Sequence, residues 1–493
     1  MLRKVVIVMA VLIFIKQIVN IFLKLRYGNC FGGMLASADS VWAIEDTSRN
    51  IINVLIILKP NPNRTENITR KMKDVIFQNI FQKSQDFPKL TSTRHRFMGF
   101  NFLLKNKLTV NDCVSTLEIK HDEELNQTDL QEIISKYCNK PLPKQHSALW
   151  QILVSPKPIQ WHSMEDPSNK YPVLLRFSHV VGDGLSFVNL MLRTFANSNT
   201  LETSSSHLEY PNSDMFSKSI RATKNFVNTL SMVPSMLIQQ HFLRKDDSNS
   251  LHGPELCGEK NLVYAVEVEK KLFTLVKDIK KSIPNSKFSD VLLTAVSRSL
   301  DEHFKRNSQP IPKHISVVIP ALLSAPDMDQ APVLQNQFSV GILDLPIQMC
   351  SSSMLKRLQE VMQKTSNLRN SLQYQVNYWL VTYLCGFIPH PILKQSLNTD
   401  QLTMTISNVP GVPKVTIMKD CDIEDIIFFT NHRGKTGVGL SILTYDNRFQ
   451  LGLAIDKSIM KSRNEAQRII NDVFKYVEVL HAEVYKQNVS IEP

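Results

Sequence analysis

Glycine is scarce in this chain, 15 of 493 residues, and has no triplet period, which excludes a collagen-like fold. No fixed repeat runs through the sequence, so a solenoid or propeller is excluded too. The seven cysteines (Cys30, Cys113, Cys138, Cys257, Cys350, Cys385, Cys421) contain no CxxC pair and are odd in number. That argues against a disulfide framework or zinc site and for a reducing compartment. The histidines lack metal-ligand spacing, so no metal is expected. There is no GxSxG elbow, and no cysteine has a histidine at a fixed local spacing, so nothing points to a covalent intermediate on the protein. Arginine-rich tracts are missing as well. The excess of 57 Lys+Arg over 45 Asp+Glu, net +12, is scattered, which favours a solvated or membrane-facing basic surface over a nucleic-acid footprint. Four Asn-x-Ser/Thr sequons (Asn63, Asn67, Asn126, Asn488) are about what a chain this rich in Asn, Ser and Thr contains by chance, and carry no weight.

What remains is ordinary globular material. With 43% hydrophobic and 21% charged residues the chain can bury a sizeable core, and its length suits two to four domains. Arg3 and Lys4 precede an apolar run from Val5 to Leu23, interrupted at Lys16 and Gln17 and closed by Lys24 and Arg26. As a helix it is just long enough to span a bilayer. Lys24-Leu25-Arg26-Tyr27 is not a signal-peptide cleavage site. Lys16, Asn20 and Lys24 form one polar stripe, so a tilted anchor, an interfacial helix and a buried core helix are all compatible with the run.

Strand-like and helical segments then alternate irregularly, predicting a mixed α/β protein. Strands are expected at Asn53–Leu58, Cys113–Ile119, Leu149–Val154, Pro172–Ser178, Asn261–Glu269 and His314–Ile319, with a hairpin of Gly439–Tyr445 and Phe449–Ile455 around Asp446-Asn447. Helices are expected at Asn67–Lys83, Gln127–Tyr137, Gly184–Ala196, Phe288–Phe304, Met354–Leu372 and Asn464–Val484. Polar stretches at 197–214 and 244–261 flank an apolar segment, Phe226–Leu243. The expected organisation is an anchor over 1–27, a first lobe over 28–196, a linker with an apolar helix over 197–261, and a second lobe over 262–493.

One stretch carries chemistry. From Pro172 the chain reads as a strand to Ser178, a sharp turn through His179 and Gly182, and a helix opening at Asp183-Gly184. Histidine is the side chain best suited to accept a proton near neutral pH, and a nearby helix N-terminus disfavours the imidazolium. The turn is expected to rest on glycines that tolerate positive φ. Asp183 is expected to lock the loop through a cation or backbone amide, without transferring protons. A His-x-x-x-Asp-Gly match arises by chance in such a chain with odds on the order of 1 in 50, and the flanking strand and helix strengthen it.

HxxxDG at a strand-to-helix turn resembles the active-site motif of the CoA-dependent acyltransferase superfamily. Further segments resemble its wax ester synthase/diacylglycerol acyltransferase branch, in the same order. These are Asp39-Ser-Val-Trp42-Ala-Ile-Glu45, Pro141-Leu142-Pro143 with Ala148-Leu149-Trp150, Ser289-Asp290-Val291-Leu292, Leu334-Gln-Asn336-Gln-Phe338 with Leu345-Pro346, Ser407-Asn408-Val409-Pro410-Gly411, and Thr444-Tyr445-Asp446 with Asp456. Two positions depart from that pattern: Ser178 stands where the family has a first histidine, and Ser289 where it has asparagine. No DFGWG motif of the plant-type branch occurs.

The resemblance implies two chloramphenicol-acetyltransferase-like α/β lobes with a tunnel between them and His179 at its centre. It implies transfer of an acyl group from acyl-CoA, a co-substrate and not a bound cofactor, to a long-chain alcohol or diacylglycerol at a membrane. That membrane would be the endoplasmic reticulum, with the catalytic part facing the cytosol. His179 would be the base and Asp183 its structural partner, with Gly182 and Gly184 shaping the turn. Ser178, Ser289, Asp290, Ser407 and Asn408 would be substrate-facing. Two rivals stand beside this reading: a lipid-binding member that has lost turnover, and an acyltransferase for small alcohols or amines. The aromatic run Tyr374–Leu393 is compatible with a core helix or a lipid-facing wall, and the loop Asn431–Lys435 with a solvated loop or a contact to CoA phosphates.

Overall fold

The computed structural model describes residues 2–45, 50–61, 67–119, 125–144, 147–162, 169–196, 246–322, 333–397 and 401–489. Among these, two six-stranded sheets dominate. The first runs in the order Thr416–Ile417, Cys421–Phe429, Ile51–Pro60, Tyr171–Ser178, Trp150–Val154, Val114–Thr116. The second runs Phe338–Pro346, His314–Leu322, Met404–Val412, Val438–Tyr445, Arg448–Asp456, Lys260–Val266. Their central strands are apolar runs such as IINVLIIL, as strands covered on both faces should be. Asp446 and Asn447 both take positive φ, 49° and 59°, in the two-residue turn that joins Val438–Tyr445 to Arg448–Asp456.

The lobes are not successive blocks of sequence. Strand Cys421–Phe429 comes from the second half of the chain yet pairs antiparallel with Ile51–Pro60, opposite Asn53 to Pro60, in the first lobe's sheet. Its alternation, with Cys421, Ile423, Asp425, Ile427 and Phe429 buried, marks a strand that the sequence reading left unassigned. Asp425 is fully buried in that strand. It accepts from Trp161 Nε1 (2.6 Å) and Gln450 Nε2 (2.7 Å), and pairs with Arg448 (3.0 Å), so one carboxylate stitches both lobes together. Such an acid is tolerated inside only because its partners satisfy it. The interval read as a linker is described from residue 246 onward, and strand Lys260–Val266 begins within it; Phe226–Leu243 lies outside the described residues.

The N-terminal helix spans Leu2–Tyr27. Val19 and Leu23 bury one side of it against Phe100, Phe102 and Leu104 of a three-stranded sheet. Ile7, Val11, Phe14, Ile18, Ile21 and Leu25, at helical spacing, form an exposed apolar row on another side, with Phe14 66% and Leu25 81% accessible. Among the described residues it is the one helix long and apolar enough to cross a membrane. Of its polar stripe, Lys16 lies over the Phe387 ring, 5.0 Å from the centroid.

Candidate active site

His179 leaves the end of strand Tyr171–Ser178, where Ile51 pairs with Ser178. That register sets the His179 amide on the Asn50 carbonyl (3.4 Å). The helix Gly184–Thr194 is capped by Asp183, whose carboxylate accepts from Ser186 N (2.9 Å) and also from Gln337 N (2.8 Å) across the lobe interface. Burial raises the Asp183 pKa, and these two amides pull against it. Asp183 thus bonds amides, not a cation. Neither Gly182 nor Gly184 has positive φ, which corrects the expectation for the turn. Gly182 is needed for space instead: a Cβ there would lie 3.1 Å from Ser186 Cβ and 3.3 Å from the Gln335 carbonyl.

The imidazole lines a cavity of about 560 Å³ between the lobes, walled largely by apolar side chains such as Ile52, Phe177, Phe187, Val318, Phe338 and Ile426. It is half-buried there, and burial lowers its pKa to about 4, so the neutral base is the resting form. This desolvation is the leading cause of the shift.

Three residues that the sequence reading quoted without a site role orient the ring. Asn336 Nδ2 donates to Asp39 Oδ1 (2.8 Å) and to the His179 carbonyl (2.8 Å). Both partners are acceptors, so the amide orientation is fixed and Oδ1 faces His179 Nδ1 at 3.0 Å. Nδ1 must therefore carry the proton, which leaves the lone pair on Nε2. Behind the amide, Asp39 pairs with Lys89 (2.7 Å), and Lys89 also donates to the carbonyls of Val180 and Val181 (3.2 Å each), bracing the catalytic turn. Trp42 stacks on the imidazole, ring centroids 3.8 Å apart and 9° from parallel. Local sequence offers no signal for this union. Only the shared order of the motifs hinted that residues 39, 179 and 336 belong together.

The other expected site residues divide. Ser289, Ser407 and Asn408 line the cavity. Ser178 is buried off the cavity and its Oγ accepts from Val180 N (3.4 Å), so it shapes the turn and does not face substrate. Asp290 lies fully buried behind the wall, accepting from Thr365 Oγ1 (2.8 Å) and Arg369 Nη1 (3.1 Å); it positions cavity-lining groups. Cys385 also lines the cavity, but burial pushes its thiol up to about 11, which keeps it protonated and unsuited as a nucleophile. No cluster of three His, Cys, Asp or Glu side chains that could hold a metal ion occurs among the described residues. The arrangement is that of a neutral base on a largely apolar cavity wall, able to deprotonate a hydroxyl.

Comparison with known proteins bears on the family and the fold. Residues 334–477 match the family model described as the WS/DGAT C-terminal domain. No curated protein matches the chain by sequence. Among solved structures, the chain is similar to the wax ester synthase/diacylglycerol acyltransferase from Marinobacter aquaeolei VT8, at 12% identity and a TM-score of 0.59 over 92% of this chain and 99% of that one. It is similar also to TRI3 trichothecene 15-O-acetyltransferase from Fusarium sporotrichioides, at 10% identity and a TM-score of 0.58 over 90% and 94% of the two chains. A third likeness is to the first condensation domain of the CDA synthetase, at 10% identity and a TM-score of 0.53 over 92% and 96%. At such identities the likeness is one of fold.

Proposed function

We propose, from the match of residues 334–477 to the WS/DGAT C-terminal domain and the likeness of fold to a wax ester synthase/diacylglycerol acyltransferase, that the chain moves a long-chain acyl group from acyl-CoA to a hydroxyl on a long-chain alcohol or diacylglycerol. The observation that carries this reading is His179, neutral and held as the Nδ1–H tautomer at the wall of an apolar cavity. Its Nε2 takes the hydroxyl proton as the acceptor oxygen attacks the thioester carbonyl. When the carbon–sulfur bond breaks, the proton passes to the departing CoA thiolate, and an ester and free CoA leave. Ser407 and Asn408, on the cavity wall, suit the oxyanion or the pantetheine arm. No step requires a covalent enzyme intermediate or a bound cofactor.

Lipid access has a surface to match. Segment Gln373–Leu397 puts Tyr374, Leu380 and Val381 on the cavity while Trp379, Tyr383 and Ile392 are exposed. Lys16 over Phe387 ties that segment to the N-terminal helix, whose apolar row is also bare. Together these suit a membrane-seated enzyme, and the use of cytosolic acyl-CoA is the reason for proposing the endoplasmic reticulum, with the cavity toward the cytosol. Ser178 does not reach the cavity, which weakens the motive for the reading without turnover. The volume of the cavity, about 560 Å³, and its largely apolar lining favour lipid over small acceptors.

The test is incubation of microsomes holding the full chain with labelled palmitoyl-CoA plus hexadecanol or diacylglycerol, alongside His179→Ala. Labelled neutral lipid is expected, reduced at least about 100-fold by the substitution. Equal product from both would remove His179 from the mechanism. No product with any lipid or small acceptor would leave the lipid-binding reading.

A further inference from the structure

One arm of the cavity leads away from His179 along the face of the first lobe's sheet, and strand register measures it. The His179 amide bonds the Asn50 carbonyl, which sets the base at the level of residue 50. Beyond it the strands turn a side chain to the cavity at every second residue. Ile52 and Phe177 pair first, then Phe428, Val54 and Leu175, then Ile426 and Ile56. Successive rows lie about 7 Å apart, so the third row stands about 20 Å along the strands from the level of the base. Val54, Phe428 and Ile426 are half-buried on that wall, so their surfaces are open to whatever fills the arm.

The helix Gly184–Thr194 runs the same way. Gly184, Val188 and Met191 line the cavity in turn. Just past the helix, Ala196 bridges to Ile417 and the Phe195 carbonyl accepts from Met418 N (3.3 Å). Ile417 pairs with Cys421, so the helix ends beside the start of strand Cys421–Phe429, one row beyond Ile426. There Val415 and Ile423 line the cavity, exposed by only 2% and 1%. The Tyr445 hydroxyl accepts from Val415 N (2.9 Å) and donates to the Ile423 carbonyl (2.9 Å), so the two are pinned to each other and form a fixed stop. From the second row onward the side chains named are hydrocarbon, with the Met191 thioether among them. Polar parts of a ligand find Ser289, Thr365 and the one-third exposed Arg369 elsewhere on the cavity wall.

Hydrocarbon walls reward each methylene that a ligand adds until the chain meets the stop, and a longer chain is then crowded out. With C–C bonds of about 1.52 Å and angles near 111°, an extended chain advances about 1.25 Å per bond, so about 16 carbons fill the arm to its third row and about 20 reach the stop. We infer that this arm is a measuring pocket for one linear alkyl chain, in which the rows at Val54 and Ile426 and the stop at Val415 and Ile423 set the chain length that the protein accepts. The inference rests on the acyl-transfer reading, which places the ester bond at His179, and adds a length to its substrates. The chain belongs either to the acyl group or to the alcohol, two sources with the same chemistry.

The experiment measures kcat/KM of the full chain for octanoyl- to docosanoyl-CoA against hexadecanol, and for octanol to docosanol against palmitoyl-CoA. At least one series is expected to fall by about 10-fold or more beyond about 20 carbons. Val54→Phe, which puts a ring across the second row, is expected to move that limit to about 12 carbons in one series and leave the other in place. The series that moves names the occupant. Ile423→Ala, at the stop, is expected to move the same limit upward by about two carbons, and it carries the test if Val54→Phe does not fold. No length limit in either series, or a Val54→Phe loss of the same size at every length or in both series, would overturn the inference. A second readout is independent of turnover. The Tm of the full chain with S-alkyl-CoA thioethers or with the alcohols is expected to rise with chain length up to the same limit, which Val54→Phe lowers. A length limit in Tm without product from any pair would keep the arm and sink the acyl-transfer reading; product with no length limit in either readout would do the reverse.

Discussion

Replacing Asn336 by leucine tests the orientation of the base. The substitution keeps the branched shape of the side chain and removes the acceptor for the His179 Nδ1 proton, at 3.0 Å. In the native protein the wrong tautomer, with its proton on Nε2, would turn a lone pair toward the Asn336 oxygen. It forfeits a hydrogen bond worth about 1 kcal/mol and adds a repulsion of similar size. About 2–3 kcal/mol therefore separates the tautomers, a ratio on the order of 30- to 150-fold. Without Asn336 most of that bias disappears, and Nε2 carries a proton in a large share of molecules. The active tautomer then makes up about a fifth to a half of the molecules, so the expected result is a kcat lower by about 2- to 5-fold with KM changed little, because the substrate contacts stay in place. The substitution also strips a donor from Asp39, so the fold is expected to lose about 1–3 kcal/mol, to be measured alongside by denaturant titration. Imidazole ¹⁵N shifts provide the readout that a merely structural role would not move: native His179 should show a protonated Nδ1, and Asn336→Leu a mixture. A folded variant with unchanged ¹⁵N shifts would refute the tautomer reasoning.

Two further outcomes follow from the same structure. Burial holds both His179 and His303 near a pKa of about 4 in the folded protein against 6.5 in the unfolded chain. The unfolded state therefore binds more protons between those values, and stability should fall as pH drops from about 6.5 toward 4, by up to about 3 kcal/mol per histidine; flat stability between pH 7 and 4.5 would contradict the buried neutral rings. Gly182→Ala presses a methyl group on the Gln335 backbone next to Asn336, so it should cost about 1–3 kcal/mol of stability and lower kcat several-fold; native kcat would mean the turn yields without moving the base.

Much of this protein is local and hence legible. The strand, turn and helix around His179 follow from an apolar run, a capping aspartate and a helical pattern, all within about twenty residues. The hairpin at Asp446-Asn447 is equally local, since both residues tolerate positive φ. The N-terminal helix announces itself by length and composition. What could not be read was set by contacts across long stretches of chain. Asn336 reaches His179 over 157 residues and Asp39 over 297, and no periodicity encodes such a meeting. Strand Cys421–Phe429 has an ordinary alternating pattern, but nothing in it says that its partner is Ile51–Pro60 in the other lobe. Glycine at 182 was legible as a requirement, though its reason was not: the expected cause was φ, and the actual one is the approach of the Gln335 backbone.

That distribution bears on the two departures from the family pattern. A motif in sequence treats its positions as equivalent, whereas the structure separates them by what each side chain faces. The first motif position, Ser178, belongs to the strand end and turns its hydroxyl to the Val180 amide, so a histidine-to-serine change there alters the turn and leaves the reacting ring untouched. The second, His179, lines the cavity and is held from behind by Asn336, Asp39 and Lys89, none of which lies in the motif. Ser289 is different in kind: it stands on the cavity wall, where exchanging an amide for a hydroxyl changes the surface that a substrate meets. The departure at 178 therefore leaves the His179 ring as it was, and the departure at 289 falls on the cavity wall itself.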